Sequence, residues 1–127
     1  MASLRAKLLI AATVLAFAPA LVSDDSPLEF KWVDSRAGDC HLSGTLRLHP
    51  DGHAVFDATS WTDQSNTGDI WHATLHVYNA QKQELFGFGV WDSPRMFPGS
   101  SYNWKKEGGF PAGLFDQVDS ADLGGDC

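Results

Sequence analysis

The chain has 127 residues, enough for one ordinary domain and no more once a leader is set aside. Nine lysines and arginines face sixteen aspartates and glutamates, a formal charge of −7, with no basic cluster to offset it. A field of that sign repels phosphate, so nucleic acid and anionic membrane surfaces are not expected partners.

The first twenty residues read as an export signal. Arg5 and Lys7 form a short basic region, Leu8 to Phe17 is an unbroken apolar run, and Ala18-Pro19-Ala20 offers small residues to a peptidase. Cleavage after Ala20 fits best, with Ser23 as the alternative. A spanning helix needs about 20 apolar residues, and Pro19 ends this run at half that length. The expectation is a secreted, soluble, monomeric domain over residues 21–127.

From Leu28 onward apolar residues alternate with polar ones, the period of strands. Leu28 to Val33 is the first strand, and Asp34 to Asp39 reads as a break. Gly44–His49 and His53–Trp61 flank Pro50-Asp51-Gly52, a type I turn with glycine at the left-handed bulge position. That turn pairs Leu48 with Ala54, Leu46 with Phe56 and Gly44 with Ala58, all on one face. Thr62 to Asp69 is polar loop. Ile70–Tyr78 and Leu85–Trp91 form a second hairpin, and a four-residue link at Ala80 to Gln83 sets Val77 opposite Phe86, Leu75 opposite Phe88 and Ala73 opposite Val90. A short strand follows around Ser101 to Lys105. Pro111 can start a helix carrying Leu114, Phe115 and Val118. Asp119 to Cys127 reads as an acidic loop. These elements predict an all-β domain, an antiparallel sandwich or barrel of about six to eight strands with a short C-terminal helix.

Two cysteines, Cys40 and Cys127, allow one internal connectivity, and in an oxidising compartment an even count reads as a disulfide. Metal ligation is set aside because only two thiols exist, and an intermolecular bridge is the remaining alternative. No other metal or cofactor site is expected. His72 and His76 lie four apart on a strand, about 13 Å, too far to share an ion. His49 and His53 flank a hairpin tip without a third ligand. Asp116, Asp119, Asp122 and Asp126 lack the twelve-residue calcium-loop pattern. There is no Gly-x-Ser-x-Gly, His-Glu-x-x-His, Cys-x-x-Cys or glycine-rich phosphate loop, so no enzymatic activity is expected.

The second hairpin offers the most suggestive surface. On the register above, Ile70, His72, Thr74, His76 and Tyr78 share a face with Leu85, Gly87, Gly89 and Trp91. The glycines would leave a trough walled by Tyr78, Trp91 and two imidazoles, suited to a sugar or an extended peptide. Strand glycine also serves close packing, and a loop one residue different would exchange the two faces.

Several short pieces carry a resemblance: Phe30-Lys31-Trp32, Ala37-Gly38-Asp39-Cys40, Thr45-Leu46, Pro50-Asp51-Gly52 with Phe56, Trp71 with Leu75, Trp104, and terminal Cys127. Together they resemble a family of small secreted bacterial β-proteins classed as a domain of unknown function. The chain departs from it where Gln81-Lys82-Gln83 replaces an Asp/Asn-Gly turn. The resemblance implies secretion, a β-domain and the bridge, but no activity. The functional expectation is a non-catalytic extracellular binding module for a glycan or protein. A small hydrolase, or an inhibitor or effector acting through Ser93 to Ser100, is the alternative.

Overall fold

The computed structural model describes residues 26–127, so the expected export signal at residues 1–20 and its expected cleavage point lie outside the described residues. The described strands are β1 (Leu28–Ala37), β2 (Cys40–Leu48), β3 (His53–Thr62), β4 (His72–Tyr78), β5 (Glu84–Asp92), β6 (Tyr102–Gly109) and β7 (Ser120–Asp126). They form two antiparallel sheets, ordered β1-β2-β3-β6 and β5-β4-β7. A 3-10 helix, Ala112–Gln117, stands where the C-terminal helix was expected and buries Phe115. The predicted antiparallel β architecture is what the chain adopts.

The inner faces meet along a core of Leu42, Leu46, Leu48, Ala54 and Phe56 from one sheet and Ala73, Leu75 and Val77 from the other. Trp71, Met96, Phe110 and Phe115 join the same core. Each fully buried side chain of the Leu or Phe class contributes about 1.5–3 kcal/mol. Phe56 is the hub: Trp32 and Trp104 meet its ring edge-on at 6.4 and 5.7 Å, and Trp91 stacks on it at 6.2 Å.

The first hairpin has the expected register, Leu48 to Ala54, Leu46 to Phe56 and Gly44 to Ala58. Gly52 takes φ +94° at its tip, and its N–H donates to the His49 carbonyl at 3.0 Å. The second hairpin turns without an Asn-Gly pair because Asn79 anchors it from the strand end. Its Oδ1 accepts from the N–H groups of Gln81 and Gln83 at 3.0 and 2.9 Å.

Three expectations need correction. The break at Asp34 to Asp39 is a bulge between Trp32 and Ser35, through which β1 continues to Ala37. The acidic tail is not loop: β7 pairs with β4 from His72–Asp126 to Tyr78–Ser120. Its Asp, Gly and Ser residues have poor strand propensity, and an available β4 edge overrides it. In β5 the register with β4 shifts between Ala73 and Leu75.

Candidate functional site

The hairpin β4–β5 keeps the predicted pairs Val77–Phe86 and Leu75–Phe88, but Ala73 pairs with Trp91 rather than Val90. Between those pairs β5 spends one residue more than β4. Gly89 absorbs the irregularity at φ +109°, a conformation that side chains resist. One extra residue inverts the alternation beyond it. Trp91 therefore turns inward, stacked on Phe88 at 5.3 Å and on Phe56, while Val90 is left 62% exposed.

The trough is thus altered rather than covered. Gly87 and Gly89 are exposed, Gly87 lies opposite His76, and His72, His76 and Tyr78 remain half-buried on the outer face. Trp91 is not among them. The imidazoles have found acids: His72 Nδ1 lies 2.6 Å from Asp92 Oδ1, and His76 Nδ1 lies 2.9 Å from Glu84 Oε2. Strand β7 adds Asp126 opposite His72 and Asp122 opposite His76. Burial, then the charges of Asp122 and Glu84, push the Tyr78 phenol above its ordinary value. This face is acidic, with Tyr78 the one aromatic wall left of the predicted pair.

The outer face of the four-stranded sheet offers a different surface. Alternation directs Ser43 and Thr45 of β2, Asp57 and Thr59 of β3, and Asn103 and Lys105 of β6 outward. They line an open groove of about 650 Å³. Pairing aligns them in two rows, Thr45–Asp57–Lys105 and Ser43–Thr59–Asn103. Thr59 Oγ1 donates to Asn103 Oδ1 at 2.7 Å, which turns the amide Nδ2 away from Thr59. Arg47 holds Asp57 at 3.0 Å and Glu29 at 2.8 Å. The Glu29 carboxyl is held below its usual range by Arg47.

One step further along β3, Trp61, Asp63, Ser100 and Ser101 border a second open depression of about 370 Å³. Trp61 is fixed from below. Its indole stacks on the His41 ring at 5.1 Å with an interplanar angle of 8°. His41 Nδ1 meets Asp34 Oδ1 at 2.5 Å and Nε2 meets Asp63 Oδ2 at 2.8 Å. The hydrogen bond to Asp63, then that to Asp34, raises the His41 pKa, while His41 lowers that of Asp63. An imidazolium donating from both nitrogens fits that geometry, and it lies against an indole face as cation–π contacts require. Arg36 closes the cluster at 3.5 Å from Asp63. With both ring nitrogens engaged, His41 acts as a strut rather than a general base.

Sequence reasoning passed over Trp61. The signal was available: Trp61 is five residues from inward Phe56, so alternation sends it outward. His41, Asp34 and Asp63 carried no such signal, because a bulge and a loop bring them together. The Ser93 to Ser100 segment is tied down at its start, where Ser93 Oγ accepts from Trp71 N–H at 2.8 Å and Met96 is fully buried.

Cys40 and Cys127 lie at disulfide-bonding distance, with Cα atoms 6.2 Å apart, and join the start of β2 to the residue after β7. No curated protein and no solved structure matches this chain. A family model matches residues 45–127, from the middle of β2 through all later strands to Cys127, and the chain belongs to that family of unknown function, DUF6294.

Proposed function

We propose that this protein is a non-catalytic extracellular module that binds a glycan along the outer face of β3 and β6. The carrying observation is the lining of the groove. Hydroxyls, an amide, a carboxylate and one ammonium stand in strand-spaced rows that lead to a braced indole. From Asp57 to Trp61 the path runs about 13 Å, the scale of a short oligosaccharide rather than a single small molecule. Polyhydroxylated chains take many directed hydrogen bonds and stack on aromatic faces. The bracing of Trp61 by His41 removes rotamer freedom before the ligand arrives, which lowers the entropic cost of binding. The extracellular setting rests on the leader layout of residues 1–20.

The test is a glycan array probed with wild type, Trp61→Ala and Asn103→Ala. Wild type should select a set of oligosaccharides, and Trp61→Ala should weaken them about tenfold or more, in keeping with 1.4 kcal/mol per decade. Equal signals from wild type and Trp61→Ala, or no glycan retained by wild type, would overturn the reading. Recovery of the protein from the medium with a new N-terminus after Ala20 or Ser23 tests export separately.

A further inference from the structure

We propose that Cys40, Cys127 and Asp69 form a zinc site whenever the disulfide is open. Two thiols alone are too few ligands, but folding brings a third donor to them. The two sulfurs and an Asp69 carboxylate oxygen all lie within 4.8 Å of one another. Zinc holds thiolate at about 2.3 Å and carboxylate at about 2.0–2.2 Å in a tetrahedron, so the sulfurs, bonded to one another in this structure, must part to about 3.8 Å once reduced, with the Asp69 oxygen already beside them. Cys40 is 1% exposed, whereas Cys127 is exposed and follows the Gly124-Gly125-Asp126 end of β7. The second sulfur thus has room to move, and the open side leaves a fourth position for water.

The orientation of Asp69 points the same way. Its Oδ2 lies 3.6 Å from Cys40 Sγ. A disulfide sulfur has no hydrogen to donate and a carboxylate only accepts, so the contact gains no hydrogen bond in the bridged state. A thiol or a metal at that position makes the contact favourable. The carboxylate is also held in place. Thr62 Oγ1 donates to the same Oδ2 at 2.7 Å, and two backbone hydrogen bonds with Met96, at 2.9 and 2.7 Å, fix Asp69. A hydroxyl behind a ligating carboxylate is the usual outer-shell support of a metal site. Thiolate donors favour zinc over magnesium or calcium.

The chemistry balances with a dithiol reductant. The dithiol passes two electrons and two protons to the Cys40–Cys127 bond, becoming a disulfide itself and leaving two thiols. Zinc then displaces both thiol protons and takes the Asp69 carboxylate as its third protein ligand. The same sulfurs therefore serve as a covalent clasp in an oxidising compartment and as metal ligands in a reducing one. This inference is independent of the glycan groove.

The experiment uses reduced protein under anaerobic conditions, freed of reductant and titrated with Co²⁺ as a spectroscopic stand-in for Zn²⁺. Reduced wild type should give thiolate-to-cobalt charge transfer and tetrahedral d–d bands that saturate at one equivalent, with both displaced by Zn²⁺. Asp69→Asn, which retains an oxygen for Thr62, should bind about tenfold more weakly or worse, and Cys127→Ser should lose the bands. Circular dichroism follows the fold throughout: a reduced chain that unfolds should refold with zinc. The proposal is overturned by bands that fail to appear, by equal affinity in Asp69→Asn, by equal affinity in oxidised protein, or by a reduced chain that stays unfolded with zinc.

Discussion

His41 stands between two carboxylates, and its charge therefore ties stability to pH. Its folded-state pKa is raised by Asp63 and Asp34 above the ordinary value of about 6.5. The stabilisation from the imidazolium is complete below about pH 6.5 and is lost as the pH rises through the raised folded value. Asp63 behaves oppositely. Its lowered pKa gives a contribution present above about pH 4 and lost as the pH falls through the folded value. Both acids are half exposed, so solvent screens the pair and His41→Gln should cost only about 1 kcal/mol at pH 5. Thermal unfolding from pH 4 to 9 checks this: wild type should lose more stability above pH 6.5 than His41→Gln does, and parallel curves would contradict the assignment. Trp91, which alternation sends outward, is in fact packed on Phe56 and Phe88, so truncating it would probe the core and not a binding face.

At the scale of elements, β5 is governed by Gly89. A Cβ there would stand 2.5 Å from the Ala73 carbonyl oxygen, and φ is +109°. Gly89→Ala should therefore destabilise by about 2–3 kcal/mol, the cost of strained backbone combined with a clash. Gly113→Ala, in the 3-10 helix, meets nothing within 4 Å and should stay within about 0.5 kcal/mol of wild type. Chemical denaturation of the two variants checks both, and similar midpoints would show that the bulge tolerates a side chain. Strand β7 illustrates the same competition between local and tertiary preference. Its seven residues include four of Asp or Gly, yet β4 offers a complete edge and the chain takes it.

At the scale of the molecule, the two sheets are held by one core and one clasp. Cys40 begins β2 in the four-stranded sheet and Cys127 follows β7 in the other, 87 residues away. Closing a loop of that size in the unfolded chain contributes about 4.5 kcal/mol. Cys127→Ser should lower the free energy of unfolding by roughly that amount under non-reducing conditions, measured by guanidinium titration; an unchanged midpoint would show that the core alone sets stability. Charge is also unevenly distributed. The outer face of β5-β4-β7 carries Glu84, Asp92, Asp122 and Asp126 around its two histidines. The opposite face mixes Lys31, Arg47 and Lys105 with Glu29, Asp57 and Glu107. Of the two outer faces it is thus the β5-β4-β7 face that is acidic, and the groove lies on the balanced one.

Sequence alone determined the strand period, the first hairpin and its register, the antiparallel class and the cysteine pair, because alternation, turn chemistry and cysteine count act locally or leave one choice. The second hairpin was legible from Val77–Phe86 to Leu75–Phe88, although at the turn Tyr78 pairs with Glu84 and not with Leu85 as the four-residue link implies. Beyond Leu75–Phe88 a single inserted residue changed which side chains face water, and alternation cannot reveal where a bulge will form. Only the tertiary structure decided that Trp91 belongs to the core, that the acidic tail is a strand, and that His41 braces Trp61. It alone set Asp69 against the sulfurs. Those outcomes depend on contacts between segments far apart in the chain, whose free energies outweigh local preference and leave no periodic trace in the order of residues.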